Sequence, residues 1–139
     1  GASAFVAEGL ARGLAATGAR VRIAVPDYPV FAGLRGLVRG KRRQLKLPTP
    51  AGPLRGSWTE AELDGLALAL VEKPEFFDRA GIYGAGGEPY EDNLARFSFF
   101  ARAVREIARA TSADLIHALD WPGALTAVWA GGGPPVSLG

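Results

Sequence analysis

The sequence predicts an α/β fold, a mostly parallel, doubly wound sheet carrying an exposed β-hairpin insertion. Three observations lead there. A helical pattern over residues 2–17 runs directly into an alternating strand pattern at Arg20–Val25. The continuous apolar run Leu66–Val71 has the length and character of a strand buried on both faces. Strand-sized segments then alternate with crossover-length helical segments to the end of the chain.

Each element has its own signal. In the first helix Val6, Leu10, Leu14 and Thr17 form one stripe, Gly18 stops it, and Gly9 and Gly13 leave room for close packing. Val21, Ile23 and Val25 share a strand face that Pro26 and Pro29 terminate. Arg39–Leu47 and Leu54–Leu63 read as exposed strands joined through Pro48, Pro50, Gly52 and Pro53. After Leu66–Val71 an aromatic-rich loop extends from Lys73 to Gly84. Glu88–Ala110 is the clearest helix. Its apolar stripe is Leu94, Phe97, Phe100, Ala101, Val104, Ile107 and Ala108. Glu88, Glu91 and Asp92 lie at its positive end, and Arg102, Arg105 and Arg109 lie towards its negative end. A short strand at Asp114–Ala118, a helix over about Pro122–Ala130 and a further strand opening at Val136 complete the pattern.

Composition narrows the chemistry. The 139 residues suffice for one domain with a real core, 48% of them being apolar. Absence of Cys excludes disulfide scaffolds, thiol nucleophiles and Cys-ligated metals, and the single His117 excludes a multi-histidine centre. A net charge of +2 leaves no strong footprint for nucleic acid or membrane. No leader or membrane-length apolar run is visible, so a cytoplasmic protein is expected. A chain without Met that opens on Gly1 is expected to be cut from something longer. Between Asp27 and Glu60 all charges are basic (Arg35, Arg39, Lys41, Arg42, Arg43, Lys46 and Arg55), and six acids follow from Glu60 to Asp78. Cross-strand charge pairing and a polyanion patch are both open readings of these blocks.

In an open α/β sheet ligands bind beyond the carboxyl ends of the strands. His117-Ala-Leu-Asp-Trp-Pro122 concentrates polar and aromatic groups at such an end: His117 at the strand tip, Asp120 placed to cap the next helix, and Trp121 at the crevice edge. A capped helix with a satisfied core histidine and a packing tryptophan is the equally simple structural reading. Gly84-Ala-Gly-Gly87 follows a loop and is no phosphate-binding signature. There is no G-x-S-x-G and no D-x-D.

Four ordered segments resemble bacterial glycogen and starch synthases. Lys73-Pro-Glu-Phe-Phe-Asp-Arg-Ala-Gly-Ile-Tyr-Gly84 is similar to N-P-E-Y-F-D-R-x-G-I-Y-G, and Glu91-Asp-Asn-Leu-Ala-Arg-Phe-Ser-Phe-Phe100 to D-N-x-x-R-F-x-x-F. Asp114-Leu-Ile-His-Ala-Leu-Asp-Trp121 resembles D-V-V-H-x-H-D-W-H, and Ala19–Pro29 resembles H-x-V-R-V-x-x-P-x-Y-P. The resemblance implies the Rossmann-like N-terminal half of a GT-B glycosyltransferase, with residues 1–139 a partial domain and the C-terminal nucleotide-binding domain absent. It implies a retaining transfer of glucose from ADP-glucose to an α-1,4-glucan, without metal or cofactor, nucleic acid or membrane. His117, Asp120, Trp121 and Tyr83 are the implied substrate-binding residues, and Gly1 belongs to the donor loop; no catalytic residue is assigned. Phe5, Leu119 and Pro122 stand where the family has polar side chains, and Ala2 replaces the second glycine of the donor-loop pair. The fragment alone is therefore expected to be inactive. The alternative is a non-catalytic relative that binds glucan or a protein partner.

Overall fold

A computed structural model describes residues 2–120, 122, 125, 126 and 134–138, with the side chains of 2–6 and 138 excepted. The apolar run becomes β4 (Leu66–Glu72), an interior strand whose side chains alternate between two cores. Ala69 and Val71 join Leu45, Leu47, Trp58, Phe77, Phe99, Ala103 and Ile107 on one face. Leu68 and Leu70 join Ala61 on the other, with Ile23, Val25, Phe31, Leu37 and Leu63 packed around them. A strand covered on both sides needs no polar positions, which explains the unbroken run.

β1 (Arg22–Pro26) lies parallel to β4, in register from Arg22↔Ala67 to Pro26↔Val71. β2 (Val38–Leu47) and β3 (Leu54–Leu63) form the hairpin, and β3 also pairs antiparallel with β4, giving the order β1-β4-β3-β2. α1 (Ala2–Ala16) precedes β1, and a 3-10 turn (Pro29–Gly33) follows it. Leu10 and Leu14 on α1 are exposed, whereas Ala11 is buried. The β3–β4 turn is Asp64-Gly65, both at positive φ (50° and 80°), the pair that a tight two-residue hairpin favours.

The expectation of two exposed hairpin strands holds for one of them. β2 is exposed apart from Leu45, Leu47 and the half-buried Arg43, but Ser57, Trp58, Thr59 and Ala61 of β3 are buried. β3 has neighbours on both edges, and α3 (Asn93–Ala110) covers one of its faces through Phe99. The approach is close at Gly56, where a Cβ would lie 2.6 Å from Phe99 Cζ and 2.8 Å from the Glu72 carbonyl oxygen.

α3 starts later than its acidic residues suggested. Gly84–Ala85 (β5) and Glu88–Pro89 (β6) form a two-stranded ribbon, its turn made by Gly86 and Gly87 at positive φ. Glu88 and Glu91 therefore precede the helix. Its buried face is also rotated: Leu94 is 67% exposed, while Arg96, Phe99, Ala103 and Arg105 are buried with Phe97, Ala101, Ile107 and Ala108. Arg105, expected to serve the negative end of the helix, is buried and donates to the Thr126 carbonyl oxygen at 3.4 Å.

Beyond α3, β7 (Ile116–Ala118) pairs in parallel with β8 (Val136–Leu138), so the strand expected at Val136 is present. Of the expected helix at 122–130, Pro122, Leu125 and Thr126 are helical. Its other residues, and the candidate site residues Trp121 and Gly1, lie outside the described residues. Among the described residues no helix is long and apolar enough to cross a membrane.

Candidate functional site

β1 and β4 run in the same direction, so Pro26 and Glu72 end at one edge of the sheet. The segment from Lys73 to Asp92 folds beyond that edge, where parallel sheets bind ligands. A cleft of about 210 Å³ opens there, lined by Asp27, Tyr28, Arg39, Glu72, Lys73 and Asp78 among others. A second hollow of about 160 Å³ shares Glu72, Lys73 and Pro74 with it and adds Arg42, Arg55 and Ser57.

The charges in this cleft are mostly committed to each other. Arg39 binds Asp27 through two hydrogen bonds of 3.0 Å, and its guanidinium is pushed above its ordinary value by that bond. Lys73 is 8% exposed, and its Nζ donates to the Arg55 carbonyl oxygen at 2.8 Å and to the Glu75 carboxylate at 2.6 Å. The ammonium also lies over the rings of Phe76 and Phe99, 5.3 and 5.4 Å from their centroids. The hydrogen bond from Lys73 holds the Glu75 carboxyl below its usual range. Burial raises the Tyr28 phenol to about 12, and its ring meets Phe77 edge-on at 6.0 Å.

The segments 73–84 and 91–100, seven residues apart at their closest ends in the chain, are bound together in space. Arg79 grips Asp92 with two 2.7 Å hydrogen bonds, which lower the Asp92 carboxyl and raise the guanidinium. Arg96 goes further. It has no exposed surface, and it donates to the carbonyl oxygens of Phe76 (2.6 Å) and Ile82 (2.8 Å) and to Asn93 Oδ1 (2.7 Å). The rings of Tyr90, Phe97 and Phe77 surround its guanidinium carbon at 4.9, 5.1 and 5.7 Å. Burial pushes its ionisation below the ordinary arginine value. Asn93 in turn donates Nδ2 to the Tyr83 carbonyl oxygen at 2.8 Å, and the Tyr90 amide donates to the same oxygen at 2.9 Å.

Asn93 and Arg96 belong to the segment that resembles D-N-x-x-R-F, and the sequence alone left open that they simply cap and solvate the helix. The missed signal was periodic: Arg96, Phe99 and Ala103 fall at i, i+3 and i+7, on the face α3 buries. Tyr83, one of the expected substrate residues, is 46% exposed and leans on Phe97 with ring centroids 5.7 Å apart.

The other described candidates stand on different elements. His117 is the middle residue of β7, one short of its tip, and is exposed. Its Nδ1 is 2.7 Å from Ser137 Oγ, and Ser137 is its register partner on β8. Asp120 is exposed just beyond β7 and has φ 59°, a left-handed backbone that aspartate tolerates better than most residues. It stands two residues before the helical Pro122.

The family model of the starch synthase catalytic domain matches residues 2–132. The chain belongs to that family. It is 37% identical over 120 residues to glycogen synthase from Opitutus terrae, covering 84% of this chain and 25% of that protein. It is 35% identical over 134 residues to glycogen synthase 2 from Agrobacterium fabrum, covering 93% of this chain and 25% of that one. Among solved structures, the catalytic domain of starch synthase IV from Arabidopsis thaliana, bound to ADP and acarbose, superposes with a TM-score of 0.68. That match has 26% identity and covers 86% of this chain and 24% of that one. The chain thus spans about a quarter of the length of these relatives.

The mixed α/β architecture with its parallel strand pairs is that of a starch synthase-type, GT-B glycosyltransferase domain. Within it three of the seven residues of the basic block pair with acids. Arg43 pairs with Glu60 at 3.2 Å, Arg42 with Glu72 at 3.5 Å and Arg39 with Asp27 at 3.0 Å. These three ion pairs, of which Arg43–Glu60 links the neighbouring strands β2 and β3, favour neutralisation over a polyanion patch.

Proposed function

We propose that this chain supplies the N-terminal, Rossmann-like half of a retaining glucosyltransferase that moves glucose from ADP-glucose to the non-reducing end of an α-1,4-glucan. The observation that carries the reading is the match to a starch synthase catalytic domain bound to ADP and acarbose, a nucleotide and an oligosaccharide analogue in one fold. On this reading Tyr83 offers an exposed ring face to a glucose unit, and aromatic faces suit the apolar side of a sugar. His117 and Asp120, at the end of β7, hydrogen-bond sugar hydroxyls, Trp121 adds a second apolar face, and Gly1 belongs to the loop that approaches the donor phosphates. The reaction needs the second domain, because donor and acceptor meet between two halves. The fragment alone is inactive.

The test is glucose incorporation into glycogen by the protein expressed in its complete reading frame, with ADP-glucose and UDP-glucose compared. Incorporation from ADP-glucose, with no activity from residues 1–139 alone, is the expected result. Failure of both donors refutes the transferase reading. One observation favours a second reading: Leu119 and Pro122 offer no polar side chain where the family has histidines. A non-catalytic glucan-binding relative would then quench tryptophan fluorescence with maltoheptaose yet incorporate no glucose.

A further inference from the structure

The segment that carries Tyr83 has little regular structure of its own. Between α2 (Pro74–Phe77) and α3 it contains two strands of two residues each, and Ile82 and Tyr83 are 48% and 46% exposed. A loop so built would wander unless something fixed it. What fixes it is a chain of contacts from the first turn of α3. Asn93 and Arg96 stand three residues apart on the helix and are joined by the 2.7 Å bond from Arg96 Nη1 to Asn93 Oδ1. Arg96 takes the carbonyl of Ile82, and Asn93 takes the carbonyl of Tyr83, so two successive peptide groups are pinned to one rigid element. The Tyr90 amide doubles the hold on Tyr83, and the Gly81 amide donates to the Tyr90 hydroxyl at 3.3 Å. The ring of Phe97, the residue after Arg96, supports the Tyr83 ring.

Burying a guanidinium with no exposed surface is expensive, and Nη2 of Arg96 has no hydrogen-bond partner among the described residues. A helix that needed only solvation or capping would not place a cation there. The three aromatic rings and the three oxygens at its other nitrogens make the position tolerable, and they also make it rigid.

We propose that Asn93 and Arg96 are positioning residues for Tyr83, holding its backbone on α3 so that its ring is presented to a glucan chain in one orientation. This rests on Tyr83 being a sugar contact, as argued above. Neither residue touches the sugar. They act by sparing the loop the ordering entropy it would otherwise lose on binding.

Asn93→Asp separates positioning from folding. The new carboxylate still accepts from Arg96, and a negative charge in the first turn suits the helix dipole. It cannot donate to the Tyr83 carbonyl, which it would instead repel. In the complete reading frame the variant is expected to keep its melting temperature. Its Tyr90 amide should exchange about 10-fold faster, since the carbonyl it donates to is released. Nuclear Overhauser contacts between selectively labelled Tyr83 and Phe97 rings should weaken, and the Kd for maltoheptaose should rise about 5-fold, as for one lost hydrogen bond. Arg96→Lys, which keeps the charge but not the three-way fork, should show the same loss of affinity.

Unchanged ring contacts and Tyr90 exchange in Asn93→Asp overturn the positioning role. Lost ring contacts with an unmoved maltoheptaose Kd overturn Tyr83 as a sugar contact, the reading on which the role depends. Tyr83→Ala decides that second point independently, because it should weaken maltoheptaose and abolish any further effect of Asn93→Asp in the double variant.

Discussion

Replacing Arg96 with methionine removes a cation while keeping much of the side-chain volume, so the change isolates what the guanidinium does. Three oxygens lose their donor: the carbonyls of Phe76 and Ile82 and the Asn93 side chain. A buried acceptor left unpaired costs about 1–3 kcal/mol; these three are part-buried, so the gross loss is at most about 3–9 kcal/mol. Relief of the buried charge returns part of it, since that charge has no carboxylate hydrogen-bonded to it among the described residues. The low end, about 3 kcal/mol, is the expected net effect. For a domain of this size that corresponds to a fall of about 10 °C in Tm. Thermal melting followed by circular dichroism measures the fall, and urea unfolding checks that the slope m is unchanged. A variant that melts within a degree or so of the parent, or above it, would refute the claim that Arg96 ties the 76–82 segment to α3. The buried guanidinium would then be a burden that the surrounding rings merely accommodate.

Other consequences follow from single contacts. Gly56→Ala should destabilise by about 1–3 kcal/mol or more through overpacking, because the added methyl meets both Phe99 and the unyielding backbone at Glu72; an unchanged urea midpoint would contradict the close approach of α3. Asp92 has its carboxyl lowered from an ordinary 3.8 chiefly by the hydrogen bonds from Arg79. Its contribution is therefore complete above that value and lost as pH falls through the depressed one. The stability gap between the parent and Asp92→Asn should be full at neutral pH, begin to shrink below about pH 4 and vanish as pH falls through the depressed value; a gap unchanged on acidification would exclude the ion pair as its source. Tyr28 titrates in the opposite sense: burial raises its phenol from 10.0 to about 12. Its share of stability is complete below pH 10 and lost as pH rises through about 12. Ultraviolet titration should show an ionisation at that height that disappears in Tyr28→Phe; loss of nothing but an ordinary tyrosine step would count against the burial.

Much of the architecture was legible because it depends on local pattern. The strand at Leu66–Val71 could be read from its unbroken apolar run, and the Asp64-Gly65 turn lay between two strand patterns. Even β8, only three residues long, followed from Val136–Leu138 after a Gly-Pro stretch. The helix start at Asn93 was misplaced because acids near a helix look alike whether they serve the dipole or, like Asp92, an arginine 13 residues upstream. The burial of β3 was hidden for a related reason. Its polar residues Ser57 and Thr59 fit an exposed strand until two neighbouring strands and α3 cover them.

The sequence by itself determined the α/β class, the order of elements and the family, since periodicity and motif order survive without coordinates. It also placed Tyr83, His117, Asp120, Trp121 and Gly1 as candidates by resemblance. Only the tertiary structure decided which residues act together. Arg79 and Asp92, or Arg96 and the carbonyls of Phe76 and Ile82, are linked by hydrogen bonds that span 13 to 20 residues. Such bonds depend on where the chain turns, and residue type alone does not encode them. That is why the sequence left open whether Arg96 simply solvates its helix, whereas the fold makes it a fully buried side chain bound to the Ile82 carbonyl of the Tyr83 loop.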